Sequence, residues 1–150
     1  MTQDLTSELT LLASLACENW SDFGDIAVST GAGSGSLPRS WEDTWHYSLG
    51  LRWKPEAQWT YYTGIAYDTD PTSASDRTAD MPIDEQWRYS GGVTYERENG
   101  HKIGAVLTYA DYGDAAINNG GARPGTGAPW TVEGDYSSNR LIFLGLNYSW

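Results

Sequence analysis

The amino-acid sequence predicts an all-β fold, namely an antiparallel transmembrane β-barrel segment of about six strands. Three observations support this prediction. Apolar and polar residues alternate along stretches of about ten residues, and short and long breaks between these stretches take turns. The aromatic residues are 8 Trp and 10 Tyr with only 2 Phe, and Trp and Tyr concentrate at membrane–water interfaces because their polar atoms remain hydrated.

The first apolar stretch, residues 10–20, fits two structures. A lipoprotein signal peptide ending at Cys17 would need basic residues before the apolar stretch, and residues 1–8 contain no Lys or Arg. A strand fits better, because one of its faces is then wholly apolar. That face comprises Leu9, Leu11, Ala13, Leu15 and Cys17. We therefore predict one long strand over residues 8–30 with a bulge near residues 20–23, in which Cys17 is a small apolar residue without a disulfide partner.

Five further strands follow the same alternation. They are predicted over residues 41–54, 58–68, 86–97, 102–111 and 138–150. The break between the fourth and fifth strands contains Asn99-Gly100, a dipeptide typical of tight turns, and the break between the second and third is equally short. Long stretches of turn-forming residues separate the other strands and are predicted to be loops, at 31–40, 69–85 and 113–136. A membrane barrel carries tight turns at one rim and long loops at the other.

The charge distribution excludes some functions. A net charge of −11 leaves no basic stripe for a phosphate backbone, so we expect no nucleic-acid partner. No apolar run reaches the ~20 residues that a transmembrane helix needs. Acidic residues concentrate in 68–85 around a single arginine, Arg77, and this stretch is predicted to be a solvated loop. This loop is a weak candidate for binding a divalent cation, because Asp68-Thr69-Asp70 lacks the further ligands and the glycine of a calcium loop. Repulsion from anionic lipopolysaccharide, or bridging to it through cations, is an equal alternative.

Several stretches resemble the FadL/TodX family of bacterial outer-membrane transporters for long-chain fatty acids and other hydrophobic compounds. These stretches are NWSDF (19–23), WEDTWHYSLGLRW (41–53), WTYYTGIAYDTDP (59–71), MPIDEQWRYSGG (81–92) and LGLNYSW (144–150). Their order and spacing resemble those of the family along nearly the whole chain. The resemblance implies an integral protein of the bacterial outer membrane.

The resemblance also implies a part of a larger barrel. Family members are barrels of fourteen strands with a signal peptide and an N-terminal plug that carries Asn-Pro-Ala, and none of these features is present in this sequence. Residues 1–150 are therefore expected to be the C-terminal portion of the barrel. Six strands cannot close, and edges at 8–30 and 138–150 would stay unpaired in hydrocarbon, so the segment alone is expected to be inactive.

The inward faces of the predicted strands indicate what such a barrel carries. Five of the strands have one inward glycine, which either makes room in the lumen or relieves crowding where the wall bends. These glycines are Gly50, Gly64, Gly92, Gly104 and Gly145. Inward Tyr62, Leu141 and Phe143 favour a hydrophobic passenger, such as a fatty acid or a hydrocarbon, that diffuses passively.

Two inward polar residues are candidates for holding a headgroup. His46 and Arg88 lie on strands separated by only one other, roughly 10 Å apart at a similar height. Together they could steady a carboxylate. The alternative is that both simply hydrogen-bond to neighbouring lumen groups or to water.

Two other functional classes stay open. His46 and Ser48 share a face at a spacing found in some outer-membrane lipid hydrolases, although no acid that would orient the histidine is evident. A structural or adhesive barrel would instead use its long acidic loops. We expect a protein that is not an enzyme and that needs no cofactor or metal.

The end of the sequence suggests how the barrel is assembled. Leu146, Tyr148 and Trp150 resemble the C-terminal signal by which outer-membrane proteins reach the barrel assembly machinery. The expected partners are therefore this machinery, outer-membrane lipid and lipopolysaccharide, and hydrophobic small molecules.

Overall fold

The computed structural model describes residues 1–22, 26–31, 33–37, 40–122 and 127–150. Within these ranges lie eleven strands and a short 3-10 helix at Trp20–Asp22. In chain order the strands are β1 (Thr2–Asp4), β2 (Leu9–Glu18), β3 (Ile26–Thr30), β4 (Gly33–Leu37), β5 (Thr44–Trp53), β6 (Trp59–Asp68), β7 (Gln86–Glu96), β8 (Lys102–Asp111), β9 (Ala115–Ala122), β10 (Pro129–Tyr136) and β11 (Arg140–Ser149). No helix among the described residues is long and apolar enough to cross a membrane.

Seven of the strands form one antiparallel sheet in the order β1-β2-β5-β6-β7-β8-β11. The six long strands of this sheet have ten or eleven residues each, the length with which a tilted strand crosses a bilayer. The sheet is open, with β1 and β11 at its edges. The predicted all-β barrel segment with about six spanning strands is confirmed, and the three-residue β1 is an additional edge strand that the alternation did not reveal.

Tight turns and long connections lie at opposite ends of the sheet. Tight turns join β1 to β2, β5 to β6 and β7 to β8, and we call their end the turn rim. Long connections join β2 to β5, β6 to β7 and β8 to β11, and we call their end the loop rim. In membrane barrels of bacteria, tight turns face the periplasm and long loops face the outside.

The prediction of one long strand over residues 8–30 is wrong. Strand β2 ends at Glu18, and the chain then turns away because Ser21 donates from its backbone N–H and its hydroxyl to Asp43 Oδ1, at 3.1 and 2.6 Å. These bonds tie the 3-10 helix to the residue that precedes β5. Strand β3 pairs with β4, and the two form a two-stranded sheet of their own among the described residues. Of the predicted bulge, Phe23 lies outside the described residues.

Two of the predicted loops contain strands. Strand β4 occupies much of 31–40, although residues 32, 38 and 39 lie outside the described part, and β9 and β10 pair as a hairpin within 113–136. The pairing of β9 with β10 brings backbones close, since a Cβ on Gly120 would lie 2.9 Å from the carbonyl oxygen of Trp130. Strand β9 buries Ala115 and Ile117, but Asn118, Asn119 and Gly120 follow them, so the stretch shows turn-forming residues rather than a sustained alternation. Residues 69–85 contain no strand, as predicted.

The outward face of the sheet carries large apolar side chains that the chain itself does not cover. Ile142, Leu144 and Leu146 are 72%, 70% and 78% exposed. A central row of mostly small and aliphatic residues runs across the strands as register partners, namely Leu11, Leu51, Thr63, Gly91, Leu107 and Leu144. Such a face is stable only against hydrocarbon, because exposed apolar area is unfavourable in water.

Aromatic rings form two bands on the same outward face. Near the loop rim, the Tyr67 ring lies 6.4 Å from Tyr47 and 4.7 Å from Trp87. Near the turn rim, the Trp59 and Tyr95 rings lie 4.7 Å apart. The aliphatic row lies between the bands, which is the arrangement of the two interfacial girdles of an outer-membrane barrel.

Most of the buried residues of the described part lie at the loop rim, although Thr10 in β2 is also buried, at 4% exposure. Ala110, Ala115 and Ile117 are the buried hydrophobic residues of the described part, and Arg77 in the 69–85 loop is 2% exposed. The guanidinium of Arg77 donates to the Ile83 carbonyl at 2.8 Å and to the Ala116 carbonyl at 2.6 Å. The prediction that 68–85 is simply a solvated loop is therefore wrong, because Arg77 anchors the loop to β9.

A second group of bonds strengthens this anchor. Arg77 Nη2 donates to Asp70 Oδ2 at 2.7 Å and to the Thr72 carbonyl at 3.0 Å. Burial raises the pKa of the Asp70 carboxyl above its ordinary value, and a hydrogen bond with Asp84 raises it too, against the lowering effects of the Thr72 N–H and of Arg77. The loop therefore keeps an acid whose charge is costly in the folded state.

Candidate functional site

The inward face of the sheet bears the candidate site. In a strand alternate side chains point to opposite faces, so the residues between the outward aromatic and aliphatic ones line the inner side of the wall. At the loop end of this face, His46 on β5 is the register partner of Asp68 on β6, and Arg88 on β7 is the partner of Ala66, two residues from Asp68. The antiparallel pairing of three neighbouring strands thus places three ionisable side chains together.

These three side chains form one hydrogen-bonded cluster, which we call the inward cluster. His46 Nδ1 lies 2.8 Å from Asp68 Oδ1, and Arg88 Nη2 donates to Asp68 Oδ2. Arg88 Nη2 also lies 3.4 Å from His46 Nδ1. Asp68 is only 9% exposed, so both of its carboxylate oxygens are satisfied by protein groups rather than by bulk water.

The structure brings His46 and Arg88 closer than the roughly 10 Å expected from strand spacing alone. The spacing of the strands gives the distance between the two backbones, whereas the side chains of His46 and Arg88 both reach toward the Asp68 carboxylate between them. Asp68 itself was missed, because it was counted with the acidic loop that follows. The period-two pattern could have identified it, since Asp68 falls on the inward face with Tyr62, Gly64 and Ala66.

A cavity of about 200 Å³ lies over the inward cluster at the loop rim. Charged and polar residues of the strands contribute to its lining, among them Glu18, Asp68, Gln86 and Arg88. Apolar residues of the connections also line it, and we call them the apolar side of the cavity, namely Trp20, Trp41, Pro71, Met81 and Ile83. The cavity is therefore amphipathic, which suits a ligand with one polar end and an apolar remainder.

Backbone bonds between connections hold the apolar side of the cavity in place. The Glu42 N–H donates to the Pro71 carbonyl at 2.7 Å, and the Thr69 N–H donates to the Trp45 carbonyl at 3.1 Å. The rings of Trp20 and Trp41 meet edge to face at 5.3 Å, and Trp20 Nε1 donates to Glu18 Oε2 at 2.9 Å. Strand ends and connections therefore form one continuous structure around the cavity.

The other predicted lumen residues lie on the inward face but away from this cavity. Tyr62 is the register partner of Arg52 and lies nearer the turn rim. Leu141 and Phe143 lie on the edge strand β11, opposite Ala110 and Thr108. All three predicted residues are exposed on the open sheet.

The inward glycines do not all do the same thing. A Cβ on Gly104 would lie 2.3 Å from Asn147 Oδ1, and one on Gly145 would lie 2.8 Å from Val106 Cγ1, so neighbouring side chains already fill those positions. Gly50 and Gly64 instead face each other in register, and a Cβ on them would lie 3.2 Å from the Thr63 carbonyl oxygen and 3.3 Å from that of Leu49. Crowding relief therefore applies to both pairs, against side chains in the first and against backbone in the second.

The His46–Asp68 pair supplies the acid that the hydrolase alternative lacked. Ser48, however, makes no hydrogen bond to His46 within the part of the chain that the structure describes. Over the same residues no group of three or more His, Cys, Asp or Glu side chains is arranged to hold a metal ion, and Cys17 is a free, exposed thiol.

The residues of the predicted assembly signal lie at the turn rim. Tyr148 on β11 pairs with Ile103 in register, and its hydroxyl meets His101 Nδ1. Trp150 follows the end of β11 and is 90% exposed, with its ring 6.1 Å from that of Tyr148.

An antiparallel sheet with two aromatic bands around an outward aliphatic row, and with a polar cluster on its inner side, is the wall of a transmembrane β-barrel. The chain belongs to the outer membrane protein transport protein family (OMPP1/FadL/TodX), whose sequence model matches residues 1–150. The predicted resemblance and the predicted location in the outer membrane are both confirmed.

Individual relatives agree with this assignment. The long-chain fatty acid transport proteins of Salmonella typhi and of Escherichia coli K12 are 28% and 27% identical to the chain over 109 residues, which is 71% of the chain. The matched residues make up 25% and 24% of these relatives, so the chain spans about a quarter of their length. A crystal structure of a Pseudomonas aeruginosa FadL homologue matches 95% of the chain and 32% of its own length with a TM-score of 0.84 at 23% identity, which shows the common fold.

Proposed function

We propose that residues 1–150 form the C-terminal portion of a closed outer-membrane barrel through which long-chain fatty acids or other hydrophobic compounds diffuse passively. The observation that carries this proposal is the amphipathic cavity at the loop end of the inward face. The names of the relatives support the choice of substrate class.

In this proposal the polar end of the ligand lies against Arg88, and its apolar chain contacts Trp41, Met81 and Ile83 across the cavity. Tyr62, Leu141 and Phe143 offer apolar surface along the inner wall. Leu141 lies in the register row of Arg88, Phe143 in that of Gly50 and Gly64, and Tyr62 nearer the turn rim. Each contact is weak enough for a ligand to move on, which passive diffusion requires.

The open edges limit what the segment does alone. Backbone groups at a free strand edge have no partner in hydrocarbon and cost several kcal/mol each. The outer edges of β1 and β11 are free within the described part of the chain. We therefore propose that transport requires closure of the barrel by further strands, and that the isolated segment is inactive.

The proposed partners follow from the faces of the wall. The outward aromatic bands and aliphatic row contact outer-membrane lipid and, at the loop rim, lipopolysaccharide. Leu146, Tyr148 and Trp150 engage the barrel assembly machinery during insertion. No cofactor has a role in this proposal, and no nucleic acid is a partner.

The proposal is tested by uptake of a radiolabelled long-chain fatty acid into a host strain that lacks its own long-chain fatty acid transport protein and expresses the complete barrel. A charge on the apolar side of the cavity should lower uptake about tenfold, because Ile83→Glu sets a carboxylate against the apolar chain of the ligand. Ala79→Glu is the matched control, since Ala79 is exposed in the same loop and does not line the cavity. Normal surface levels of barrel without any fatty-acid binding would refute the function and would favour an adhesive or structural barrel.

The His46–Asp68 pair supports one second candidate, a lipid hydrolase with Ser48 as nucleophile. The barrel should then cleave a fatty-acyl ester, and Ser48→Ala should abolish cleavage. We propose that the protein is not an enzyme, so we expect either no hydrolysis or a background rate that Ser48→Ala leaves unchanged.

A further inference from the structure

Asp68 occupies the positive groups that a ligand carboxylate would use. Its Oδ1 meets His46 Nδ1 at 2.8 Å, and its Oδ2 accepts from Arg88 Nη2. The carboxylate is nearly buried, whereas the Arg88 side chain is 35% exposed and lines the cavity. The cavity thus presents an arginine whose charge is already paired.

The charge balance around the cavity reinforces this observation. Among the residues that line it, Glu18 and Asp68 are acidic and Arg88 is basic, and His46 stands behind Asp68 as its second partner. An anionic ligand that approaches Arg88 therefore also approaches two protein carboxylates. Like charges at such distances oppose binding, and removal of one carboxylate favours it.

We propose that Asp68 is a specificity-determining counter-carboxylate, which neutralises Arg88 and orients it together with His46, so that the cavity binds long-chain carboxylates only slightly better than uncharged ligands of the same chain length. Arg88 donates to Asp68 through Nη2 and itself lines the cavity. This inference rests on the proposed function and specifies which ligand class the same site discriminates.

The arrangement suits a passive transporter. A bare arginine in a partly dry cavity would hold a carboxylate through charge-assisted hydrogen bonds and would slow its release. Because Arg88 is paired with Asp68, the binding free energy of the ligand comes mainly from its apolar chain and less from its headgroup. Ligands that differ in headgroup charge can then use one path, provided that their chains are alike.

The test compares a radiolabelled long-chain carboxylic acid with the primary alcohol of equal length, binding to the complete detergent-solubilised barrel. Asp68→Asn should tighten carboxylate binding about tenfold, the contribution of one released charge-assisted hydrogen bond, and should leave alcohol binding unchanged. Asp68→Glu, which restores the charge, should return carboxylate binding toward the original value. The control is Asp76→Asn in the loop that follows β6. This change also removes one negative charge, but the Asp76 carboxylate accepts hydrogen bonds from Ser73 and Ser75 and does not line the cavity.

A measurement on the unchanged protein keeps the inference testable if Asp68→Asn does not fold. The Kd for the carboxylate should be within about tenfold of the Kd for the alcohol at a pH where the free acid is ionised. A carboxylate preference of a hundredfold or more would overturn the inference, as would carboxylate binding that Asp68→Asn weakens or leaves unchanged. If neither ligand binds the unchanged barrel, the proposed function itself fails.

Discussion

Arg77 shows how a single residue organises the loop rim. Its guanidinium connects the Asp70 carboxylate with carbonyls at Ile83 and Ala116, residues that are 6 and 39 positions away in the chain. Two of these acceptors are backbone carbonyls, which a side-chain substitution cannot remove. Loss of the guanidinium therefore leaves them without a donor. The loop and the β9–β10 hairpin therefore depend on one buried cation.

Arg77→Met should loosen the loop rim by about 2 kcal/mol or more, because it leaves carbonyls and the Asp70 carboxylate without their donor. Limited proteolysis of the intact barrel should then cut within residues 69–85. Arg97→Met, at an exposed arginine of a tight turn, is the control and should leave the digestion pattern unchanged. Equal protease resistance of both variants would contradict the anchoring role.

The pH dependence of the same loop follows from Asp70. Because burial raises the pKa of its carboxyl in the folded state, the folded loop binds a proton more tightly than the unfolded loop. This contribution stabilises the loop as the pH falls through the raised pKa, and it is complete below the ordinary value of 3.8. Protease resistance of the loop should therefore rise from pH 7 to mildly acidic pH, and Asp70→Asn should flatten that profile. A profile that falls toward acid would be inconsistent with this sign.

Some residue-level features were within reach of the sequence and others were not. Alternation identified the inward position of His46 and Arg88, and it places Asp68 on the same face, although the neighbouring acidic residues drew Asp68 into the loop. The burial of Arg77 could not be predicted, because its partner carbonyl at Ala116 comes from a hairpin distant in sequence. A polar contact between residues distant in the chain produces no periodic arrangement of apolar and polar residues, so the local sequence does not reveal it.

The strands are the elements that the sequence predicted best. Residues of β5, β6, β7, β8 and β11 alternate because one side of each strand meets lipid and the other meets the lumen. The connection after β2 was mispredicted, because its direction depends on the Ser21–Asp43 bonds rather than on hydropathy. The β9–β10 hairpin was mispredicted for a related reason, since neither of its faces enters the membrane.

The two faces of one strand should differ in their tolerance of charge. Leu11 belongs to the outward aliphatic row and its neighbour Leu12 points inward beside Gly50. Leu11→Arg should destabilise the barrel by up to about 2–4 kcal/mol, which is the cost of an arginine that faces hydrocarbon at the bilayer midplane and falls toward the interfaces. Leu12→Arg, the same change one residue later, should cost clearly less because the lumen admits water. Unfolding by denaturant from lipid vesicles measures both, and equal losses would contradict the assignment of faces.

At the scale of the molecule, the described residues form a sheet with free edges at β1 and β11 and a layer of folded loops that is hydrogen-bonded to the strand ends at one rim. The wall obtains its stability from backbone pairing and from lipid, whereas the loop rim has its own small buried core. The fold class could be read from the sequence because a membrane wall imposes one repeating constraint on every strand. The fold of the loop rim could not be read from the sequence, because it depends on individual contacts between distant residues and not on a repeating pattern.

Assembly of the whole barrel should depend on the last residues of the chain. Trp150→Glu should lower the amount of complete barrel in the outer membrane severalfold, because the exposed ring follows the outward residues Leu146 and Tyr148. Trp130→Glu, in the β9–β10 hairpin, changes another exposed tryptophan in the same way and should leave the amount unchanged. Surface levels that are equal for the two variants would count against the assembly signal.

The facing pair Gly50 and Gly64 has a mechanical consequence for the wall. Where two neighbouring strands both lack side chains on the concave side, the sheet resists bending least, and curvature concentrates along that seam. The seam between β5 and β6 would then act as a crease that sets how far the lumen narrows at mid-height. The cross-section of the pore thus depends on the two glycines, Gly50 and Gly64, as much as on any large side chain.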